Sequence, residues 1–223
     1  MRKILILLAL ISSSAFAADL KPYIEGQLGW SNLNDVDTKA TNLPISDAAT
    51  ASATAKIKYD NSVSGGFEIG ANHVGIENLR IGVSFNRMKF DMEKVTGSLA
   101  LSAEGAAAIP PITGDITEAV RSLGVNLDNS VKLYMANAYY DIKNASAFTP
   151  FIGFGVGMAD IKNAKDNEFA WSASVGGKYN IDKNMYLGLK GSYTSVNGIT
   201  DKIGLEYKDM DAYSAHALLG YQF

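Results

Sequence analysis

The chain has 223 residues, a formal net charge of -3 and no cysteine. Without cysteine there is no disulfide framework, no thiolate metal ligand and no lipid attachment behind a signal sequence. The acidic balance argues against a nucleic-acid or anionic-lipid patch, and after residue 18 no stretch is apolar over the roughly 20 residues that a membrane-crossing helix needs.

Arg2 and Lys3 precede an apolar run, Ile4 to Ile11, and Ser12 to Ser14 then lead into Ala15-Phe16-Ala17. A basic start, a short apolar centre and a small-x-small ending predict a secretory signal over 1–17, cleaved to leave a mature start at Ala18. Residues 18–223 are then one domain, without linker or repeat beyond the alternating segments that follow.

Eight segments of about ten residues follow, with apolar side chains at alternate positions, the length and period of a tilted strand crossing a bilayer. In the first, Tyr23 to Ser31, Ile24, Gly26, Leu28 and Trp30 share one face and Glu25, Gln27 and Gly29 the other. The second, near Ser62 to Ala71, sets Val63, Phe67 and Ile69 against Ser64, Gly66 and Glu68. The third starts at Leu79 and ends near Phe90, with Ile81, Val83 and Phe85 opposing Arg80, Gly82, Ser84 and Asn86. The fourth, Val131 to Ile142, turns Tyr134, Ala136, Ala138 and Tyr140 outward and Asn137, Tyr139 and Asp141 inward. Thr149 to Ala159, Phe169 to Tyr179 and Met185 to Ser195 continue the pattern, with Lys178 and Lys190 inward. The last, Tyr213 to Phe223, points Tyr213, Leu219, Tyr221 and Phe223 outward and His216 inward.

The connections alternate. Residues 32–58 and 91–130 are long, 72–78, 143–148 and 180–184 are short, and 160–168 and 196–210 fall on the side of the long ones. Outer-membrane barrels have short periplasmic turns and longer outer loops, so both termini are expected in the periplasm. An unpaired strand edge is costly in lipid, so the first and last segments must pair. The expected fold is all-β, an eight-stranded antiparallel up-and-down transmembrane β-barrel. A water-soluble sandwich also alternates, but needs neither a signal sequence nor a terminal aromatic. Trp30, Phe85, Tyr134, Trp171 and Tyr193 near outer strand ends, and Tyr140, Tyr179, Tyr221 and Phe223 near inner ones, read as two interfacial girdles.

Asn137-Ala138-Tyr139-Tyr140-Asp141-Ile142, then Thr149-Pro150-Phe151-Ile152-Gly153-Phe154-Gly155-Val156-Gly157, and the ending Leu219-Gly220-Tyr221-Gln222-Phe223 carry a resemblance. The chain resembles small outer-membrane β-barrel proteins of the opacity-type surface-antigen and OmpA-like class. By hairpin rhythm the resemblance spans residues 18–223, with its specific motifs mainly from the fourth segment onward. It implies surface-exposed loops on an eight-stranded barrel, roles in adhesion, antigenic display or envelope integrity, and a terminal signal at Tyr221 and Phe223 read by the barrel-assembly machinery.

Eight strands enclose an interior that side chains just fill. Glu25, Glu68, Arg80, Asp141, Lys178, Lys190 and His216 are therefore expected to form a lumen polar network, paired or hydrated because bare buried charge is costly. The alternative leaves some of them solvated at the rims. Gly153, Gly155 and Gly157 imitate a nucleotide fingerprint but repeat every two residues with no helix behind them, and read instead as room for large neighbours such as Tyr139. His216 shares a face with Ser214, which invites comparison with outer-membrane lipid hydrolases, but no third group to orient the histidine is identifiable. Neither a metal nor a cofactor is expected. Asp115 and Glu118 make a capping-box-like start for a helix from Ile116 to Leu123, ended by Gly124 and packed on the barrel rim.

The leading functional reading is a non-enzymatic outer-membrane surface protein whose barrel displays loops. Its expected partners are outer-membrane lipids and lipopolysaccharide, the assembly machinery and an extracellular ligand. A narrow porin-like channel through the charged lumen is the second reading, and an outer-membrane lipid-modifying enzyme the third.

Overall fold

Alternation at period two places the two side-chain sets of a strand on opposite faces, and this chain uses it in more strands than the eight that cross the bilayer. The structure, a computed structural model, describes residues 20–38, 41–46, 49–74, 76–103, 110–122, 129–162, 164–198, 200 and 206–223. The expected signal segment 1–17 and the start at Ala18 lie outside the described residues. In chain order the elements are β1 (Lys21–Leu33), β2 (Val36–Asp37), β3 (Thr41–Ser46), β4 (Ala49–Tyr59), β5 (Ser62–Asn72), β6 (Leu79–Phe90), β7 (Met92–Ala103) and β8 (Ile112–Asp115). A short helix, α1 (Thr117–Ser122), precedes β9 (Asn129–Asp141), β10 (Phe148–Ile161), β11 (Glu168–Asn180), β12 (Met185–Val196) and β13 (Met210–Gln222).

Eight of these strands close a barrel in the order β1-β13-β12-β11-β10-β9-β6-β5, and β5 returns to β1. They are the eight expected, with ends shifted by up to three residues. The closing pair, β1 with β13, runs antiparallel from Tyr23 opposite Gln222 to Leu33 opposite Ala212. Closure removes the open edges that lipid would penalise. One end of the barrel, the turn end, carries the short connections 73–78, 142–147 and 181–184; the other, the loop end, carries 34–61, 91–128 and 197–209 together with the six-residue 162–167.

The two faces are those of a membrane barrel. Leu28 and Trp30 are 65% and 69% exposed, while Glu25 and Gln27 on the same strand are 1% and 5% exposed. An apolar outside around a polar inside inverts a water-soluble sandwich and suits hydrocarbon as the outer solvent. Aromatic arcs run round the outside: Phe67, Phe85 and Tyr134 follow one another with ring centroids 5.9 and 5.2 Å apart. Trp171, Tyr193 and Tyr213 do the same at 5.4 and 5.2 Å. Inside, large rings rest on glycines of the next strand. Tyr139 lies over Gly153 and Tyr186 over Gly220, in space that a Cβ would occupy.

The remaining strands build a second sheet at the loop end, ordered β2-β4-β7-β8 with β3 also on β4. The connections 32–58 and 91–130, expected as loops, are thus largely strands. β4 enters β5 through Asp60 and Asn61, β6 enters β7 through Asp91, and the Asp60 amide donates to the Asp91 carbonyl at 3.0 Å. The β5–β6 hairpin therefore continues past the barrel as the β4–β7 ribbon. The helix forms as the sequence predicts, though Asp115 caps it differently. Its Oδ1 accepts from the Thr117 amide at 3.1 Å and the Thr117 hydroxyl at 2.6 Å, while Glu118 pairs with Arg121. Ile116 is buried in the rim core and Ala119 packs against it; Leu123 and Gly124 lie outside the described residues.

Candidate functional site

Strand direction and alternation bring Glu25 (β1), Glu68 (β5), Arg80 (β6), Asp141 (β9) and Lys178 (β11) into the turn-end half of the lumen, all buried. Arg80 sits at the centre. Its Nη1 is 3.5 Å from Glu25 Oε2 and its Nη2 3.6 Å from Asp141 Oδ1. Its guanidinium carbon lies 5.3, 4.2 and 5.1 Å from the ring centroids of Tyr23, Tyr139 and Phe151. Lys178 Nζ donates to Asp141 Oδ2 at 2.6 Å. Glu68 accepts from the Tyr23 hydroxyl, from Asn137 Nδ2 at 2.8 Å and from the Tyr139 hydroxyl at 2.8 Å. The Tyr186 hydroxyl donates to Glu25 Oε2 at 2.8 Å. Every carboxylate here has a cation or a set of donors, as burial of charge requires. Tyr23 and Tyr186 join this cluster beyond the charged residues that the sequence assigns to it. Their signal was position alone, because each lies an even number of residues from an inward charge, Glu25 and Lys190.

Lys190 and His216 occupy a separate level, closer to the loop end. They stand opposite each other on β12 and β13, beside a cavity of about 40 Å³ that Gln27, Asn137, Ser174 and Ser192 also line. Lys190 makes no ion pair among the described residues. His216 Nε2 is 2.8 Å from Ser64 Oγ, Ser64 accepts from Ser31 at 2.7 Å, and Ser31 meets Ser214 at 2.6 Å. The partner of the histidine is thus Ser64 and not Ser214. His216 Nδ1 has no protein partner among the described residues, so no carboxylate orients the ring as a general base. Nor does any group of three His, Asp or Glu side chains among the described residues converge to hold a metal ion.

Above this level the lumen becomes apolar. Leu33, Met88, Phe90, Leu133, Ile161 and Val196 from the barrel meet Val36, Ile57 and Val95 from the outer sheet, and Ile116 just before the helix, in one buried cluster. The ribbon reaches this cluster with one face; the other carries charge. Lys56 pairs with Asp35 at 3.0 Å, Lys58 with Glu93 at 2.9 Å, Lys94 with Asp115 at 3.3 Å and Lys208 with Asp37 at 3.2 Å. Hydrogen bonds to Asp35 and Glu93, reinforced by the charge of each, raise Lys56 and Lys58 above the ordinary lysine value. Asp115 is held below the usual carboxylate range by the Thr117 hydroxyl and amide, with Lys94 adding to them.

Over residues 4–223 the chain matches the family described as "Outer membrane protein beta-barrel domain". It is 33% identical over 110 residues to outer membrane protein PagN of Salmonella typhimurium, a match that covers 41% of this chain and only 45% of that protein. The fold is similar to the crystal structure of Neisserial surface protein A, with a TM-score of 0.53 and 13% identity over 91% of this chain and 97% of that one. It is also similar to the outer membrane protein OprG from Pseudomonas aeruginosa, with a TM-score of 0.50 and 11% identity over 91% and 95% of the two chains. The family match across the barrel, on a cylinder that wears its apolar side chains outside, establishes that this chain belongs to the outer membrane protein β-barrel family and resides in the outer membrane.

Proposed function

We propose that this chain is a non-enzymatic surface protein: a plugged barrel that holds a sheet of loops outside the cell for adhesion, antigenic display or envelope integrity. The observation that carries this reading is the apolar cluster across the loop end of the lumen, in which Ile57 and Val95 of the outer sheet and Ile116 before the helix pack with Phe90, Leu133 and Val196 of the barrel. A conduit needs a wetted path, and a core of this kind offers none. The same packing fixes the outer sheet rigidly on the barrel, so variable chemistry in the loops is presented on a stable support. An enzyme of outer-membrane lipid would need its substrate to reach His216, which is 5% exposed inside the closed wall.

In this reading the loop end faces outward and both termini the periplasm, following the length rule for barrel connections. The signal over 1–17 is removed before insertion. Tyr221 and Phe223, edge to face at 5.0 Å and exposed on the outer wall, serve as the assembly signal for the barrel-assembly machinery. Deleting Phe223 should then slow insertion and leave protein in the periplasm, and normal surface levels would contradict that role.

The display reading is tested by replacing residues 99–112 with a short Gly-Ser turn. Ser98 and Thr113 are already paired across β7 and β8, and Val95 and Ile116 stay in place to keep the rim core. The variant should keep a heat-modifiable folded band while intact cells lose adhesion to arrays of immobilised glycans and matrix proteins. Unchanged adhesion would remove residues 99–112 from the function.

A further inference from the structure

We propose that the outer wall of β6, β9 and β10, just beyond the aromatic arc, is a binding site for the phosphate groups of an outer-leaflet glycolipid. The strand registers stack three rows there. Phe85 lies opposite Tyr134 and Tyr134 opposite Met158. Two residues further toward the loop end, Arg87 lies opposite Lys132 and Lys132 opposite Asp160. Two residues beyond those, Lys89 lies opposite Ser130, and the Lys162 amide donates to the Ser130 carbonyl at 2.9 Å. Met88, Phe90, Val131, Leu133, Ala159 and Ile161, at the intervening positions, are buried in the rim core. Alternation therefore turns Arg87, Lys89, Lys132 and Lys162 outward.

Four cations and one acid share a patch three strands wide, on a chain whose formal net charge is -3. Lys132 and Asp160 pair at 2.9 Å. Arg87, Lys89 and Lys162 are exposed and make no ion pair among the described residues, unlike Lys56, Lys58, Lys94 and Lys208 of the outer sheet region, each of which has a carboxylate. Like charges directly opposite on neighbouring strands destabilise a sheet, and Arg87 faces Lys132 in that way. An anion between them turns the repulsion into two charge-assisted contacts, with the Arg87 guanidinium offering the planar fork that phosphate accepts.

Position selects the ligand. Aromatic arcs mark the edge of the hydrocarbon, and the next level holds lipid headgroups. Strands about 4.8 Å apart and rows about 6.8 Å apart give a patch of roughly 10 by 7 Å, the size of one or two phosphate groups. A ligand from the medium would be met at the tips of the outer sheet, whereas this patch lies on the wall that lipid touches. The inference rests on the orientation proposed above, with the loop end in the outer leaflet.

The test uses folded protein purified from outer membranes, in detergent micelles, titrated with diphosphoryl lipid A and with the same lipid after removal of both phosphates. The phosphorylated form should bind about tenfold more tightly or better, as expected for a few charge-assisted contacts. The triple variant Arg87→Gln/Lys132→Gln/Lys162→Gln should lose that preference, and Arg87→Gln alone should reduce it, while both keep the heat-modifiable folded band. Equal affinity for the two lipids, or a preference that survives the triple substitution, overturns the site. A soluble sulfated polysaccharide that binds the patch in place of phosphorylated lipid overturns it as well, by making the ligand an external polyanion. Orientation is read separately, by labelling Thr113→Cys on intact cells with a membrane-impermeant maleimide. Labelling without a phosphate preference defeats the site alone; absence of labelling defeats the orientation beneath it.

Discussion

Arg80 on β6 and Glu25 on β1 approach to 3.5 Å in the turn-end half of the lumen, with side chains 2% and 1% exposed. Removing one partner of such a pair leaves an uncompensated buried charge, at a cost of about 3–5 kcal/mol. Arg80→Met should lower the unfolding free energy, measured by urea titration in phospholipid vesicles, by that amount. Adding Glu25→Gln to Arg80→Met should recover part of it, because one of the stranded carboxylates is gone. A single variant as stable as the parent would show that the cluster does not hold the barrel together.

Gly220 leaves the space that the Tyr186 ring fills, and Tyr186 in turn donates to Glu25. Gly220→Ala should displace the ring, break that hydrogen bond and cost about 1–3 kcal/mol through overpacking. Pairing it with Tyr186→Ala restores the space, so the double variant should cost less than the sum of the singles. Additive costs in the same urea titration would separate the two residues.

Val175, near the middle of β11, is 62% exposed on the outer wall, and Ser174 beside it faces inward. A lysine on the lipid face near mid-membrane costs about 2–4 kcal/mol, whereas removing the Ser174 hydroxyl, which borders the lumen cavity, gives up no hydrogen bond among the described residues. Val175→Lys should therefore destabilise the barrel in vesicles clearly more than Ser174→Ala. Equal costs would mean that the outer wall does not meet hydrocarbon.

In the turn between β11 and β12, Asp182 Oδ1 accepts from the Asn184 and Met185 amides, both at 2.7 Å. These two bonds hold its carboxyl below the ordinary aspartate value. A carboxyl lowered in the folded state adds stability that is fully present above its unfolded value of about 3.9 and is lost as pH falls through the folded value. The stability gap between parent and Asp182→Ala should stay constant from about pH 5 to 8 and close on acidification below the ordinary aspartate range. A gap unchanged at about pH 2 would show that the ionised carboxylate does not stabilise this turn.

The barrel was legible because each bilayer strand contrasts large apolar residues with polar or small ones: Leu28 and Trp30 against Gln27 and Gly29, or Leu187 and Leu189 against Gly188 and Lys190. The outer ribbon alternates as well, with Thr50, Ser52, Thr54, Lys56 and Lys58 against Ala51, Ala53, Ala55, Ile57 and Tyr59. Alanine against threonine gives little contrast, so the sequence alone does not mark β4 as a strand. Lumen residues were legible as a set, since parity alone turns them inward. Which of them meet depends on register, which sequence does not specify. Sequence spacing therefore puts His216 beside Ser214, two residues away on its own strand, while its hydrogen bond goes to Ser64 on β5. The apolar rim was hidden for another reason: Val131, Leu133 and Met135 continue the inward face of β9 above Asn137 and Tyr139, and a polar lumen is expected to stay polar along its length.

The plugged lumen is the claim on which the functional reading stands, and single-channel recording tests it directly. Folded protein inserted into planar bilayers should give no discrete conductance in any salt, and Arg80→Met or Lys190→Met should not change that baseline. Discrete current steps from the parent protein, altered by neutralising Arg80 or Lys190, would contradict the account and make this barrel a channel.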